Sequence, residues 1–132
     1  MIRRIGVTTG RDLAFNGQFQ QRANQVSDDV YGEGVHAYLN PAAFAFPAAG
    51  TFGDFVRNSL VGPAFWNIDL ALSRMISFAT SQSVEFRVEA FNLLNHFNWG
   101  NPGTTFGAGT FGRIRSQSGS PRIMQLGIKY GF

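Results

Sequence analysis

Ile123-Met124-Gln125-Leu126-Gly127-Ile128-Lys129-Tyr130-Gly131-Phe132 closes the chain and decides how the rest is read. Met124, Leu126, Ile128, Tyr130 and Phe132 occupy alternate positions, with Ile123, Gln125, Gly127, Lys129 and Gly131 between them. Successive side chains of a strand point to opposite faces, so this period of two predicts a strand with one apolar face and one polar or small-residue face. The apolar beat continues to the final residue, where soluble chains usually fray into a polar tail.

The same pattern recurs upstream. Val84, Phe86, Val88 and Ala90 share one face, and Glu85, Arg87 and Glu89 share the other. Trp66, Ile68, Leu70 and Leu72 alternate with Asn67, Asp69, Ala71 and Ser73. With Ala79-Thr80-Ser81-Gln82-Ser83 as a polar turn, these runs predict a hairpin of strands over residues 66–78 and 84–94. Residues 92–112 lose the alternation and collect Asn, Gly and Pro, as in Asn98-Trp99-Gly100-Asn101-Pro102-Gly103, which predicts a long loop. A short strand is expected over residues 111–115, turning through Ser118-Gly119-Ser120-Pro121 into the last segment. The first sixty residues are glycine-punctuated and predict irregular structure. One helical turn is expected at residues 41–44, with Asn40 as its cap and Pro41 in the first helical position.

Composition narrows the class. Charged residues make up 14% of the 132 residues, where a soluble domain carries about 25%, so much of the surface is not designed for water. Fourteen Phe and sixteen Gly favour strands and bends over helices. The net charge of +3 and pI near 10.0 raise the question of nucleic acid. Only Arg3-Arg4 and the Arg113/Arg115 pair cluster, however, and no basic stripe could neutralise several phosphates. The absence of cysteine excludes disulfides, thiolate chemistry and cysteine-based zinc sites. No stretch reaches the ~18 apolar residues of a membrane-spanning helix. Met1-Ile2-Arg3-Arg4-Ile5-Gly6 has no apolar stretch behind its arginines, so an export signal is expected outside this sequence.

Ten strand residues at ~3.3 Å each, tilted by ~40°, span about 25 Å, the height of the apolar band on an outer-membrane barrel. Lipid satisfies no backbone polar group, so spanning strands close into barrels with apolar side chains outward. The expected fold is therefore all-β: antiparallel amphipathic strands from the C-terminal end of an outer-membrane β-barrel, an incomplete barrel with long irregular loops. Residues 1–62 are expected to be a long extracellular loop region and residues 63–132 the C-terminal barrel strands. With Phe132 on the periplasmic side, the short turn near Ala79 is periplasmic and the long connections are outside. The competing reading is a soluble antiparallel β-sandwich serving as a binding or adhesion module, which gives the same alternation. The sequence lacks the second set of strands that a sandwich needs.

The succession Tyr38-Leu39-Asn40-Pro41-Ala42-Ala43-Phe44, Gly50-Thr51-Phe52-Gly53, Arg57-Asn58-Ser59-Leu60-Val61-Gly62-Pro63 and Asn67-Ile68-Asp69-Leu70-Ala71-Leu72-Ser73-Arg74 resembles the end of large TonB-dependent receptor-like proteins. The likeness is to the acidobacterial type with an N-terminal carboxypeptidase-regulatory-like domain. Glu85-Phe86-Arg87-Val88-Glu89-Ala90-Phe91-Asn92-Leu93-Leu94-Asn95-His96 and the closing residues from Pro121 fit the same ending. The resemblance implies a fragment of a ligand-gated outer-membrane importer. Its partners are then outer-membrane lipid, the remainder of the barrel and the plug, and TonB through a region absent from this sequence. It also implies that Met124, Leu126, Ile128, Tyr130 and Phe132 form the C-terminal signal read by the barrel-assembly machinery.

Other patterns are weaker. Glu85, Arg87 and Glu89 are expected to form a lumen-facing polar ladder, since an arginine between two carboxylates opposes the raised pKa of a general acid. Phe97, Trp99 and Phe106 are candidate ligand contacts in the loops, the alternative being that loop aromatics pack against one another. Gly107-Ala108-Gly109-Thr110-Phe111-Gly112 spells a dinucleotide-binding glycine pattern but lacks the strand, helix and acidic residue that pattern needs. His36 and His96 have no metal-ligand spacing, and Asp28-Asp29 lacks that of a calcium loop. No catalytic residue, metal site or cofactor is expected.

Overall fold

A computed structural model describes residues 1–132, apart from the side chain of Ala79. Nine strands follow in order: β1 (Arg4–Ile5), β2 (Asn24–Gln25), β3 (Phe44–Ala45), β4 (Leu60–Val61), β5 (Leu70–Ala79), β6 (Gln82–Phe91), β7 (Asn98–Trp99), β8 (Gln117–Ser118) and β9 (Ile123–Gly131). Only β5, β6 and β9 are long. The fold is all-β and antiparallel in its ladders, and no α-helix occurs among the described residues. The chain divides into two compact units, Met1–Phe65 with Trp99–Gln117, and Trp66–Asn98 with Ser118–Phe132.

The second unit is built on a three-stranded sheet in the order β5-β6-β9. Residues directly opposite in an antiparallel pair share a face. The register aligns Leu70, Ala90 and Met124 in one row, Leu72, Val88 and Leu126 in the next, then Arg74, Phe86 and Ile128, then Ile76, Val84 and Tyr130. Each strand's apolar set thus falls on one common face, as the alternation predicts, with Arg74 the one charged member of these rows. The register shifts between Ser77 and Ala79, next to the two-residue turn Thr80-Ser81. A one-residue slip elsewhere would carry every side chain to the wrong face.

Strand limits depart from the sequence reading at several points, and the hairpin turn expected over residues 79–83 shrinks to Thr80-Ser81 because pairing runs to Ala79 and resumes at Gln82. Pairing on the first strand starts at Leu70, not Trp66, because its partner β6 stops at Phe91. Asn92 then takes a left-handed backbone (φ 51°), which ends the second strand before residue 94. Residues 111–115 form no strand: Phe111 makes only an isolated bridge to Gly103, and extended pairing comes later, at β8.

The first unit holds only two-residue ladders, β1 with β4 and β2 with β3, yet it has a core. Ile5, Val7, Ala23, Leu39, Ala43, Phe44, Phe55, Leu60 and Phe111 are buried together. Phe44 meets Phe55 and Phe111 edge to face, with centroids 5.3 and 5.6 Å apart, a geometry that sets ring edges against ring faces. The helical turn forms as a 3-10 turn at Pro41–Ala43. Asn40 caps it by accepting the Ala42 N–H at 3.1 Å, and Pro41 stands where a missing N–H costs nothing. Proline and glycine prevent long strands here, so aromatic packing stands in for a sheet.

Candidate functional site

The feature that distinguishes this chain is the apolar face of its long sheet. Leu72 is 59% exposed, Leu126 80% and Ile128 73%. Met124, Tyr130, Phe86, Ile76 and Phe132 are exposed with them, and only Ala90 is buried and Val84 half-buried on that face. Phe78, Tyr130 and Phe132 form a stacked aromatic row at the turn end of the sheet, with centroids 6.4 and 6.1 Å apart. Contiguous exposed apolar surface on this scale marks an interaction with lipid or protein.

The opposite face is polar. Its rows are Ala71, Glu89 and Gln125, then Ser73, Arg87 and Gly127, then Met75, Glu85 and Lys129, then Ser77, Ser83 and Gly131. Arg87 and Glu89 join in an ion pair at 2.8 Å, and Gly127 leaves a shallow hollow walled by Glu85, Arg87 and Lys129. Such a pair neutralises charge on an exposed face while contributing ~0–1 kcal/mol.

The sheet spans about 23 Å if its nine-residue β9 is tilted by ~40°, and it is open. Among the described residues, β5 and β9 each have one edge with no partner strand. The family described as "Outer membrane beta barrel domain" matches residues 3–125. The chain belongs to the outer-membrane β-barrel family. Its location is the outer membrane, and its exposed apolar sheet is the kind of surface that family turns to hydrocarbon. No curated protein and no solved structure shows significant similarity to it.

At the end of the sheet opposite the hairpin turn, the barrel domain is tied by asparagines that the sequence reading did not single out. Buried Asn92 donates from Nδ2 to the carbonyls of His96 and Ser120, each at 3.0 Å, and accepts the His96 N–H at 2.9 Å. Asp69 accepts the Asn92 N–H at 2.9 Å, replacing the ladder bond lost where β6 ends. Buried Asn98 pairs with the Trp66 backbone through both amide atoms, and Trp66 stacks on His96 at 3.9 Å. Asn92 and Asn95 both adopt positive φ, which Asn tolerates better than other side chains. The Asn-Leu-Leu-Asn spacing directly after a strand was the signal that could have exposed this turn.

The loop aromatics divide. Phe97 and Trp99 are exposed. Phe106 is half-buried and packs against Phe46 at 4.8 Å and Phe111 at 5.3 Å, so it contributes to the wall of the first unit's core. The Gly107–Gly112 run follows no long strand and opens no helix; it forms turns, with the Phe111 N–H donating to Ala108 O at 2.9 Å. His36 is exposed and His96 half-buried.

Two loop groups have shifted protonation. Desolvation pushes the Asp12 carboxyl up, but hydrogen bonds from Asn16, Gly17, Gln21 and Phe15 outweigh it and hold the group below its usual range. Tyr38 is pushed up, by burial first and by neighbouring Tyr31 second; its hydroxyl donates to Val61 O at 2.9 Å.

Proposed function

We propose that this barrel domain supplies the last strands and the outward loops of a TonB-dependent outer-membrane importer, and performs no catalysis itself. The observation that carries the reading is the bare apolar face formed by the rows through Leu72, Val88 and Leu126. Hydrocarbon is the environment in which such a face is stable, and the unpaired edges of β5 and β9 need further strands before the backbone is satisfied in lipid. The remainder of the barrel and a plug are therefore its partners, and TonB acts through them.

In that arrangement Glu85, Arg87 and Glu89 line the lumen beside the transport path. Phe97, Trp99 and Phe106 stand in loops where ligand arrives. Met124, Leu126, Ile128, Tyr130 and Phe132 serve as the assembly signal, with the open edge of β9 available for strand addition by the assembly machinery. Removing Phe132 from the parent receptor is expected to lower its surface level more than its ligand affinity. Equal surface levels of mutant and wild type, measured by whole-cell labelling, would overturn the assembly role.

The orientation is tested with a fluorophore placed at Leu126 or at Gln125 in vesicles containing doxyl-labelled lipid. Strong quenching at Leu126 and weak quenching at Gln125 is the expected pattern. The reverse pattern, or equal quenching, contradicts the assignment of faces.

A further inference from the structure

The first unit contains a preformed hollow of about 370 Å³ between residues 36–41 and 106–113. Ligand pockets start at about 300 Å³ and are lined mainly by apolar groups with a few placed polar ones. Here the apolar lining is Pro41, Phe106 and Phe111, backed from beneath by fully buried Leu39. Backbone hydrogen bonds lock the two walls together. Gly112 O accepts from the N–H groups of Tyr38 (2.7 Å) and Leu39 (3.2 Å), and Val35 O accepts from Ile114 at 2.8 Å. The hollow therefore needs no rearrangement to receive a guest, which lowers the cost of binding.

Its charge has one sign. Arg113 and His36 are the titratable groups that line it, and no carboxylate does. Arg113 has no ion-pair partner among the described residues, where the ion pair is Arg87 with Glu89. A guanidinium offers a planar fork that matches a carboxylate through two parallel hydrogen bonds. An apolar floor beside an unpaired guanidinium selects an amphiphilic anion over a neutral hydrocarbon or a cation.

We propose that this hollow binds a small carboxylate carrying an apolar, ring-sized body, with the body on Pro41, Phe106 and Phe111 and the carboxylate on Arg113. All of these residues lie in the first unit, so the proposal does not depend on the importer reading and fails separately from it.

The test uses 4-phenylbutyrate as probe and the full 132-residue chain in detergent micelles, followed by amide chemical shifts, with protein-free micelles as a partition control. Saturable shifts confined to residues 36–41 and 106–113 are expected. The neutral 4-phenylbutanamide should bind about tenfold more weakly, and Arg113→Gln should weaken 4-phenylbutyrate by about the same factor. Arg113 is exposed, so that variant is expected to keep its fold. Gly109→Leu is the second variant. A Cβ there meets nothing within 4 Å, and the backbone is not left-handed. The leucine occupies the edge of the hollow and should reduce binding with the unit intact. Absence of shifts, shifts spread over β5, β6 and β9, or affinity unchanged in Arg113→Gln would each overturn the proposal.

Discussion

Placing an arginine at Leu126, against the same change at neighbouring Gln125, separates the two faces of the sheet by energy. Leu126 is the fourth of nine residues in β9, about 3 Å from the middle of the span at ~40° tilt, in the row with Val88 and Leu72. A charge on the lipid face near the midplane of a barrel costs about 2–4 kcal/mol, or roughly 30- to 900-fold in the folding equilibrium. Gln125 lies beside Glu89 on the polar face, so an arginine there gains an acidic neighbour and should change stability by no more than ~0.5 kcal/mol. The assay is urea titration of the full barrel that contains this domain, in short-chain phosphatidylcholine vesicles, followed by tryptophan fluorescence, with a lipid-free control. Leu126→Arg should lower the midpoint strongly in vesicles, and Gln125→Arg should leave it nearly unchanged. Equal losses from the two variants, or a Leu126→Arg loss independent of lipid, would refute the reasoning.

Gly112→Ala should destabilise the first unit by about 1–3 kcal/mol, since Gly112 has φ +70° and a Cβ there would collide with Leu39 O; faster limited proteolysis within residues 1–65 is the readout. Asn92→Ala strands the His96 N–H and the His96 and Ser120 carbonyls. A loss of about 2 kcal/mol is expected, read as faster amide exchange at the β6 end of the sheet. Asp12 has a folded pKa below its unfolded value. Its contribution to the loop is therefore complete above the unfolded pKa of about 3.9 and is lost as pH falls through the lower folded pKa. Amide exchange at Asn16 and Gly17, normalised for intrinsic rates, should show protection holding at neutral pH and falling in that acid range, and Asp12→Asn should abolish the pH dependence.

The faces of β5, β6 and β9 were legible in the residues because side-chain direction in a strand is a local property of the backbone. Val84, Phe86 and Val88 must share a side whatever they pair with, and so must Leu126, Ile128 and Tyr130. The Asn40-Pro41 start of the 3-10 turn was legible for the same reason, since cap and turn lie within a few residues. The candidate site was legible only in part. Alternation identified the apolar face but could not show that it stays bare, because exposure depends on what the rest of the chain covers.

Sequence alone thus determined the amphipathic strands, the polar hairpin turn and the irregularity of the loops. Tertiary structure decided the register that merges three apolar stripes into one surface. It also decided that Phe44, Phe55 and Phe111 build a core from segments lacking long strands. Those outcomes rest on contacts between residues distant in sequence, where a carbonyl or ring finds its partner only once the chain has folded. No periodicity along the chain encodes them.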